Sequence, residues 1–468
     1  MSAAGQKMME AADGRTQVYF IGELTLDDDS TEEVIFSENT NPQTKRASSG
    51  QSMRVGPDGS IYLCGYYAEG GANDSILVVK IGSGGTVAWA KRYYLSSGGS
   101  LVMGSIDITA DGSALYLAVN ADTGTNERLA VIKLSSSDGS ITWSVNNTSD
   151  DLSGNMLPRV LCMSDGDVVA YAFETGTTTY LSRLDSSGTA QFSRRIASSS
   201  DEEIKEMVED SNGDLICAGC DFESFDELYI AKFAGDNSSA EGYRYAAVSD
   251  NSTFTGVAIN SNDDALWVGT NETVKACFYL ANSSAISTKI ELQELSLGGA
   301  SAAADNCMAV AVTNDDNFVV VIGRSMNITT TTLNVLKMSS TDLSVIWNKK
   351  IDIDGTGVNF NGFTASVGVN PVTGEIVVSS IVQLDSQDSF VVFKLKDDGT
   401  GEPADFTSES VALENQYTMA DEATYTTPTD FTKSATSSVE NNTTSRTWAS
   451  LANVTSADVN VTFTIAGL

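Results

Sequence analysis

Residues 59–94 read GSIYLCGYYAEGGANDSILVVKIGSGGTVAWAKRYY. The apolar runs Ile61–Tyr67, Ile76–Ile81 and Val87–Tyr93 are each of strand length, and each is bounded by Gly, Asn, Asp or Ser, the pattern of short strands joined by tight turns. A fourth run, Met53–Val55, stands just before the turn Asp58-Gly59. The same unit returns down the chain, marked by turns at Asp111-Gly112, Asp165-Gly166, Asn212-Gly213, Asp263-Asp264, Asp315-Asp316 and Thr373-Gly374. The period is about fifty residues, close to that of kelch-type arrays. Asp or Asn before Gly tolerates the positive φ of a two-residue hairpin turn.

The second run recurs as IYLCGY, ALYLAV, DVVAYAF, DLICAGC, ALWVGT, FVVVIG and EIVVSSI, and the third as ILVVKI, LAVIKL, YLSRL, LYIAKF, ACFYL, LNVLKM and FVVFKL. Fourth runs carry an aromatic in VAWAKRY, ITWSV, AQFSRR, GYRY and VIWNKK. A four-stranded antiparallel unit cannot bury both faces alone but can do so between two neighbours. The expected fold is therefore all-β: a seven-bladed β-propeller of four-stranded antiparallel blades over residues 50–400, with a C-terminal Thr/Ser-rich β extension at 401–468. The seventh unit, Val367–Leu395, has no aromatic fourth strand. Residues 1–49 are expected to close the ring by lending Glu33–Phe36 to that last blade.

Trp89, Trp143 and Trp347 share one place in their repeats and are expected to fill space between blades. A cation recurs at the end of the third strand: Lys80, Lys133, Arg183, Lys232, Lys337 and Lys394. First and third strands of a blade run the same way, so this set should share a face with the Asp turns. It serves either local charge balance or a docking rim for a symmetric partner or an anionic glycan. In the tail, Asp458–Ile465 reads DVNVTFTI and alternates as a half-buried strand does. Val459, Val461, Phe463 and Ile465 would be the apolar face of a pairing with a neighbouring sheet edge.

Composition excludes several functions. The net charge of -35, from 27 basic against 62 acidic residues, repels phosphates and anionic lipid, so neither a nucleic-acid partner nor membrane insertion is expected. Self-repulsion of this size suits a saline medium, where screening is strong. There are 0 His, which removes Ser-His-Asp, Cys-His and His-metal chemistry. The six cysteines, Cys64, Cys162, Cys217, Cys220, Cys277 and Cys307, fall in apolar strands and read as buried free thiols. The acidic turn Asp210–Asp214 lacks the following Gly and the distal Glu of a calcium loop, and Asp352–Gly355 is shorter still. Carboxylate pairs are too many to single out a catalytic one. No catalytic residue, cofactor or metal site is expected.

The string Asp58-Gly59-x-Ile61-Tyr62-x-x-Gly65, an aliphatic run ending in Lys-Ile or Lys-Leu, then Gly and a Trp strand, resembles the repeat of bacterial seven-bladed propellers of the SBBP and kelch-like type over residues 50 to 396. The Trp strands are faintly similar to the docking repeats of quinoprotein dehydrogenases, without a matching cofactor pocket or calcium site. In overall style the chain resembles virion structural proteins of marine tailed bacteriophages, through its acidity, the lack of a signal-like apolar core in MSAAGQKMMEAADG, and the Thr-rich tail ending in VNVTFTIAGL. That resemblance implies a non-enzymatic virion component made in a host cytoplasm, tail or tail-fibre associated, with the propeller used for docking or host-surface recognition. Its partners would be other virion proteins, a homo-oligomer and a host glycan or receptor. Capsid decoration is one alternative; a carbohydrate-binding lectin or adhesin, or a carbohydrate-active propeller enzyme, is another. The enzyme alternative requires convergent carboxylates at the propeller axis.

Overall fold

The computed structural model describes the strands and tight turns between residues 53 and 399, apart from short connections within that span, together with residues 24–26, 33–35, 411–414, 448–451, 454–458 and 461–463. Seven antiparallel sheets follow one another, with first strands Met53–Val55, Ser100–Ile108, Leu157–Cys162, Glu202–Glu209, Thr253–Ile259, Asp305–Val312 and Asn359–Val369. Within a blade the chain steps outward strand by strand. Blade one continues through Ile61–Ala68, Ser75–Ile81 and Val87–Leu95. A turn of 3-10 helix, Ser283–Ala285, interrupts the otherwise β architecture of the described residues.

Second strands are sandwiched on both faces, which is why they read as unbroken apolar runs. Ala114 to Ala121 are all buried. Seven apolar clusters fill the seven junctions between neighbouring blades. One of them packs Met53, Ile61, Leu63, Leu77 and Val79 of blade one on Val377 and Val392 of blade seven. At about 1.5–3 kcal/mol for each fully buried aliphatic side chain, packing is sufficient to close the ring.

Closure by a borrowed strand does not occur as expected. Glu33–Ile35 pairs with Tyr66–Ala68 of blade one. Met53–Val55 covers Ile61–Leu63 of that second strand, and the N-terminal strand satisfies backbone groups farther along the same edge. Among the described residues blade seven has three strands, Asn359–Val369, Ile376–Leu384 and Gln387–Leu395.

The C-terminal strands join edges of their own chain. Val411–Glu414 extends blade six against Lys350–Ile353, Trp448–Ser450 extends blade two, and Val454–Asp458 extends blade one. Val461 and Phe463 pair with Leu26 and Leu24; Val459 and Ile465 lie outside the described residues. Among the described residues the blades therefore hold from three strands to five or more, where four were expected throughout.

The inner turns are also longer than two-residue hairpins. Gly56 N–H donates to Ser60 O and Gly59 N–H to Gly56 O, forming a turn closed by one left-handed residue. In blades five and six that residue is Asp263 and Asp316, each at φ 62°, so the fifth marker is Asn262-Asp263. Each Asp takes two hydrogen bonds from the preceding blade: Ser211 donates N–H and Oγ to Asp263, and Ser261 does the same to Asp316.

Candidate functional site

Strand register sets one residue from each strand on a common rung running from the axis to the rim. In blade one the rung is Arg54, Tyr62, Lys80, Trp89; in blade two Asp107, Tyr116, Lys133, Trp143; in blade six Ala311, Val319, Lys337, Trp347. The six repeated cations all occupy the third place. Each donates across a blade boundary to a carbonyl of the next blade's outer turn: Lys80 to Ser136 (3.2 Å), Lys133 to Ser186 (3.0 Å), Arg183 to Gly235 (2.7 Å), Lys232 to Ser283 (3.0 Å), Lys337 to Asp397 (3.4 Å) and Lys394 to Ser83 (3.1 Å).

Acids of the turns complete the arrangement. Lys232 Nζ lies 2.9 Å from Asp210 and 3.0 Å from Asp214; Lys337 Nζ lies 2.9 Å from Asp315 and 2.7 Å from Asp397; Arg183 pairs with Asp165 and Asp167. Burial disfavours the Asp315 carboxylate, but bonds from Thr313, Lys337 and Asn317 outweigh it and bring its pKa down to about 2. Asp210, named above as a calcium candidate, is likewise held below the usual carboxylate range despite burial, by Lys232, the Asp214 N–H and Ser283. The Lys337 and Lys394 side chains are only 4% and 7% exposed. These cations tie blade to blade.

The tryptophans belong to the same ties. Trp89, Trp143 and Trp347 donate Nε1–H to Ser136, Ser186 and Asp397 carbonyls, at 3.2, 3.0 and 3.0 Å, the acceptors that their neighbouring cations use. A Cβ on left-handed Gly399 would sit 2.8 Å from the Trp347 ring, so this turn accepts only glycine. Blade five departs from the pattern: Leu280 fills the third place and joins Leu343 of blade six in an apolar cluster.

At the axis the repeat breaks. The inner end of the rung is Arg54, Asp107, Leu161, Val208, Ala258, Ala311 and Gly368 from blade one to blade seven. Two residues earlier on the same strands stand Ser105, Arg159, Glu206, Gly256, Ala309 and Ser366 from blade two to blade seven. Charge is thus confined at these positions to blades one to four. Arg54 Nε is 2.9 Å from Asp107 Oδ1, and Nη2 is 3.6 Å from Glu206 Oε1. Blades one and four are as far apart as two members of a seven-membered ring can be, so this guanidinium reaches across the axis. The other Asp107 oxygen accepts the Cys162 N–H at 2.7 Å.

Burial sharpens the chemistry of this cluster. Arg159, Glu203, Lys205 and Glu206 are buried, with Lys205 paired to Glu203. Burial works against the charge of Arg54, but Asp107 and Glu206 more than offset it and raise the guanidinium pKa. Tyr171 lies opposite Arg159 where blades two and four place Ala118 and Ala218. Burial first, and the Glu206 charge second, push its phenol well above the ordinary value, so it stays a neutral hydroxyl. The site combines a donor fork between two carboxylates with a neutral phenol nearby, a set able to exchange hydrogen bonds with hydroxyl groups. Among the described residues no cluster of three or more metal-ligating side chains is present.

Sequence reading missed Arg54, Asp107, Arg159, Tyr171 and Glu206. The available signal was their departure from the small or apolar residues at matching places in the other repeats, visible once the first strands are aligned by register.

No protein-family model matches the chain, and no curated protein matches it. Among solved structures it is similar to polysaccharide lyase Uly1, at 10% identity and TM-score 0.46, covering 81% of this chain and 99% of that one. It is also similar to the NanB sialidase from Streptococcus pneumoniae, at 11% identity and TM-score 0.43 over 78% of this chain and 71% of that one. A third is the quinohemoprotein alcohol dehydrogenase from Comamonas testosteroni, at 11% identity and TM-score 0.41 over 84% and 77% of the two chains. A polysaccharide lyase and a sialidase thus stand among the similar structures, where the sequence led us to expect a non-enzymatic protein. These remote likenesses assign no activity to the chain.

Proposed function

We propose that the protein is a carbohydrate-recognising propeller whose glycan site is the axial cluster of blades one to four. The observation that carries this reading is the set of convergent charged groups at the axis, Arg54 between Asp107 and Glu206, in a fold whose matching inner positions in blades five to seven are small or apolar. Buried charges cost several kcal/mol each unless paired, and a cost borne at one place in a repeat marks a functional site. Carboxylates accept from sugar hydroxyls and the guanidinium donates to them. Of the tail strands to which the virion reading gave assembly, those described pair with blades and the N-terminal strand of the same chain.

The test is calorimetric titration with a panel of oligosaccharides, with each mixture then assayed for new reducing ends and for unsaturated products. Binding that Asp107→Asn and Glu206→Gln abolish in folded protein is the expected result. Binding left intact in both variants, or no binding by any glycan, would defeat the proposal. Product formation would add catalysis to recognition.

A further inference from the structure

We infer that the glycan taken at the axial site carries no carboxylate or sulfate group, an inference that rests on the carbohydrate reading above. Its basis is the pairing of charges around the axis. On the first strands of blades one to four, Arg54 is paired with Asp107 and Glu206, and buried Lys205 with buried Glu203. Arg54 faces two of the carboxylates, and Lys205 is committed to Glu203. An anionic sugar that bound the Arg54 guanidinium would have to take it from Asp107 or Glu206. That exchange would leave a protein carboxylate desolvated without its partner, the costliest way to break a buried pair.

Two further observations point the same way. The rim cations, the other place where a polyanion could dock, are engaged by turn carbonyls and acids, and Lys337 and Lys394 are nearly covered. The chain as a whole carries -35, a field that opposes the approach of an anion at low salt. Hydroxyl groups need no such exchange. Each carboxylate oxygen has lone pairs beyond its present partner, and a guanidinium has five N–H donors. A pair of neighbouring sugar hydroxyls can therefore bridge Arg54 and either acid while the ion pairs stay in place. The Arg54 side chain is 21% exposed, so the edge of the cluster is within reach from solvent.

The experiment uses the full chain and hexasaccharides of glucose, galactose, mannose and xylose, set against hexamers of galacturonate and mannuronate and a sulfated galactan hexamer. Affinities are read by calorimetry between about 0.05 and 0.5 M NaCl, a range over which screening of exposed charges changes strongly. The expected result is binding of a neutral hexamer whose Kd moves less than about twofold with salt, with every anionic hexamer weaker by about tenfold or more. Tighter binding of an anionic hexamer, weakening as salt rises, overturns this inference and leaves the carbohydrate reading standing. Failure of every hexamer to bind overturns both. Arg54→Lys supplies a second readout: it keeps the charge but loses the fork, and is expected to weaken the neutral hexamer about tenfold without improving any anionic one.

Discussion

Rim and axis are built from opposite ends of the same rungs, and they treat the repeat differently. At the rim six blades place a cation in one position and tie it to the next blade's turn. At the axis blades five to seven keep Ala258, Ala311 and Gly368, while blades one and two place Arg54 and Asp107. Repetition marks what each junction needs in order to close. Departure from it, in buried positions where charge is costly, marks what one part of the ring has been given to do. The repeated cations were the conspicuous feature of the sequence, and they serve the scaffold.

The contrast can be broken most forcefully at a junction. Trp267 is fully buried, donates Nε1–H to Cys217 O at 2.8 Å, and stands edge-on to Tyr279. Trp267→Ala should cost about 3–5 kcal/mol, read as a fall in the urea midpoint, with glycan affinity unchanged in the protein that remains folded. A loss under about 1 kcal/mol would show that this indole does not hold blades four and five together. Lys337→Met should cost less, about 1–2 kcal/mol, because its partners Asp315 and Asp397 are 51% and 34% exposed and water can serve them. An unchanged midpoint would remove the cation ties from the scaffold.

Acid sharpens the same point. The folded pKa of Asp315 is depressed from 3.8 to about 2, so its contribution is present above the unfolded value and is lost as pH falls through the folded one. Lys232 has a raised folded pKa, since its bonds to Asp210 and Asp214 outweigh burial. Its contribution is present below the unfolded value of 10.5 and is lost as pH rises above it. Thermal midpoints should therefore fall on the acid side from about pH 4 towards 2, less steeply in Asp315→Asn. Identical acid slopes would show that this carboxylate is not linked to folding. The smallest effect is expected from Asp263→Gly. Relief of the left-handed backbone and loss of the bonds from Ser211 oppose one another, and the net change should stay within about 1 kcal/mol.

Much of the fold was legible because its determinants are local. Asp58-Gly59 and its counterparts write turns, and runs such as Ala114–Ala121 write strands buried on both faces. Blade seven was not, because the choice between its edge and that of Tyr66–Ala68 as partner for Glu33–Ile35 depends on which edge the fold leaves open. The tail strands were hard to place for the same reason, since Trp448–Ser450 and Val454–Asp458 find edges hundreds of residues upstream. The axial site was hidden differently. Arg54 in MRV and Glu206 in EEIKEMVE look like polar residues of edge strands until register sets them beside Ala and Gly.

The most direct test is to titrate one neutral oligosaccharide into Glu206→Gln and Lys337→Met side by side with the unaltered protein. If the axis binds and the rim only supports, Kd should rise at least about tenfold in Glu206→Gln, or about 1.4 kcal/mol, and stay within about twofold in Lys337→Met. An equal loss in both, or a loss in the rim variant alone, would contradict that division of roles.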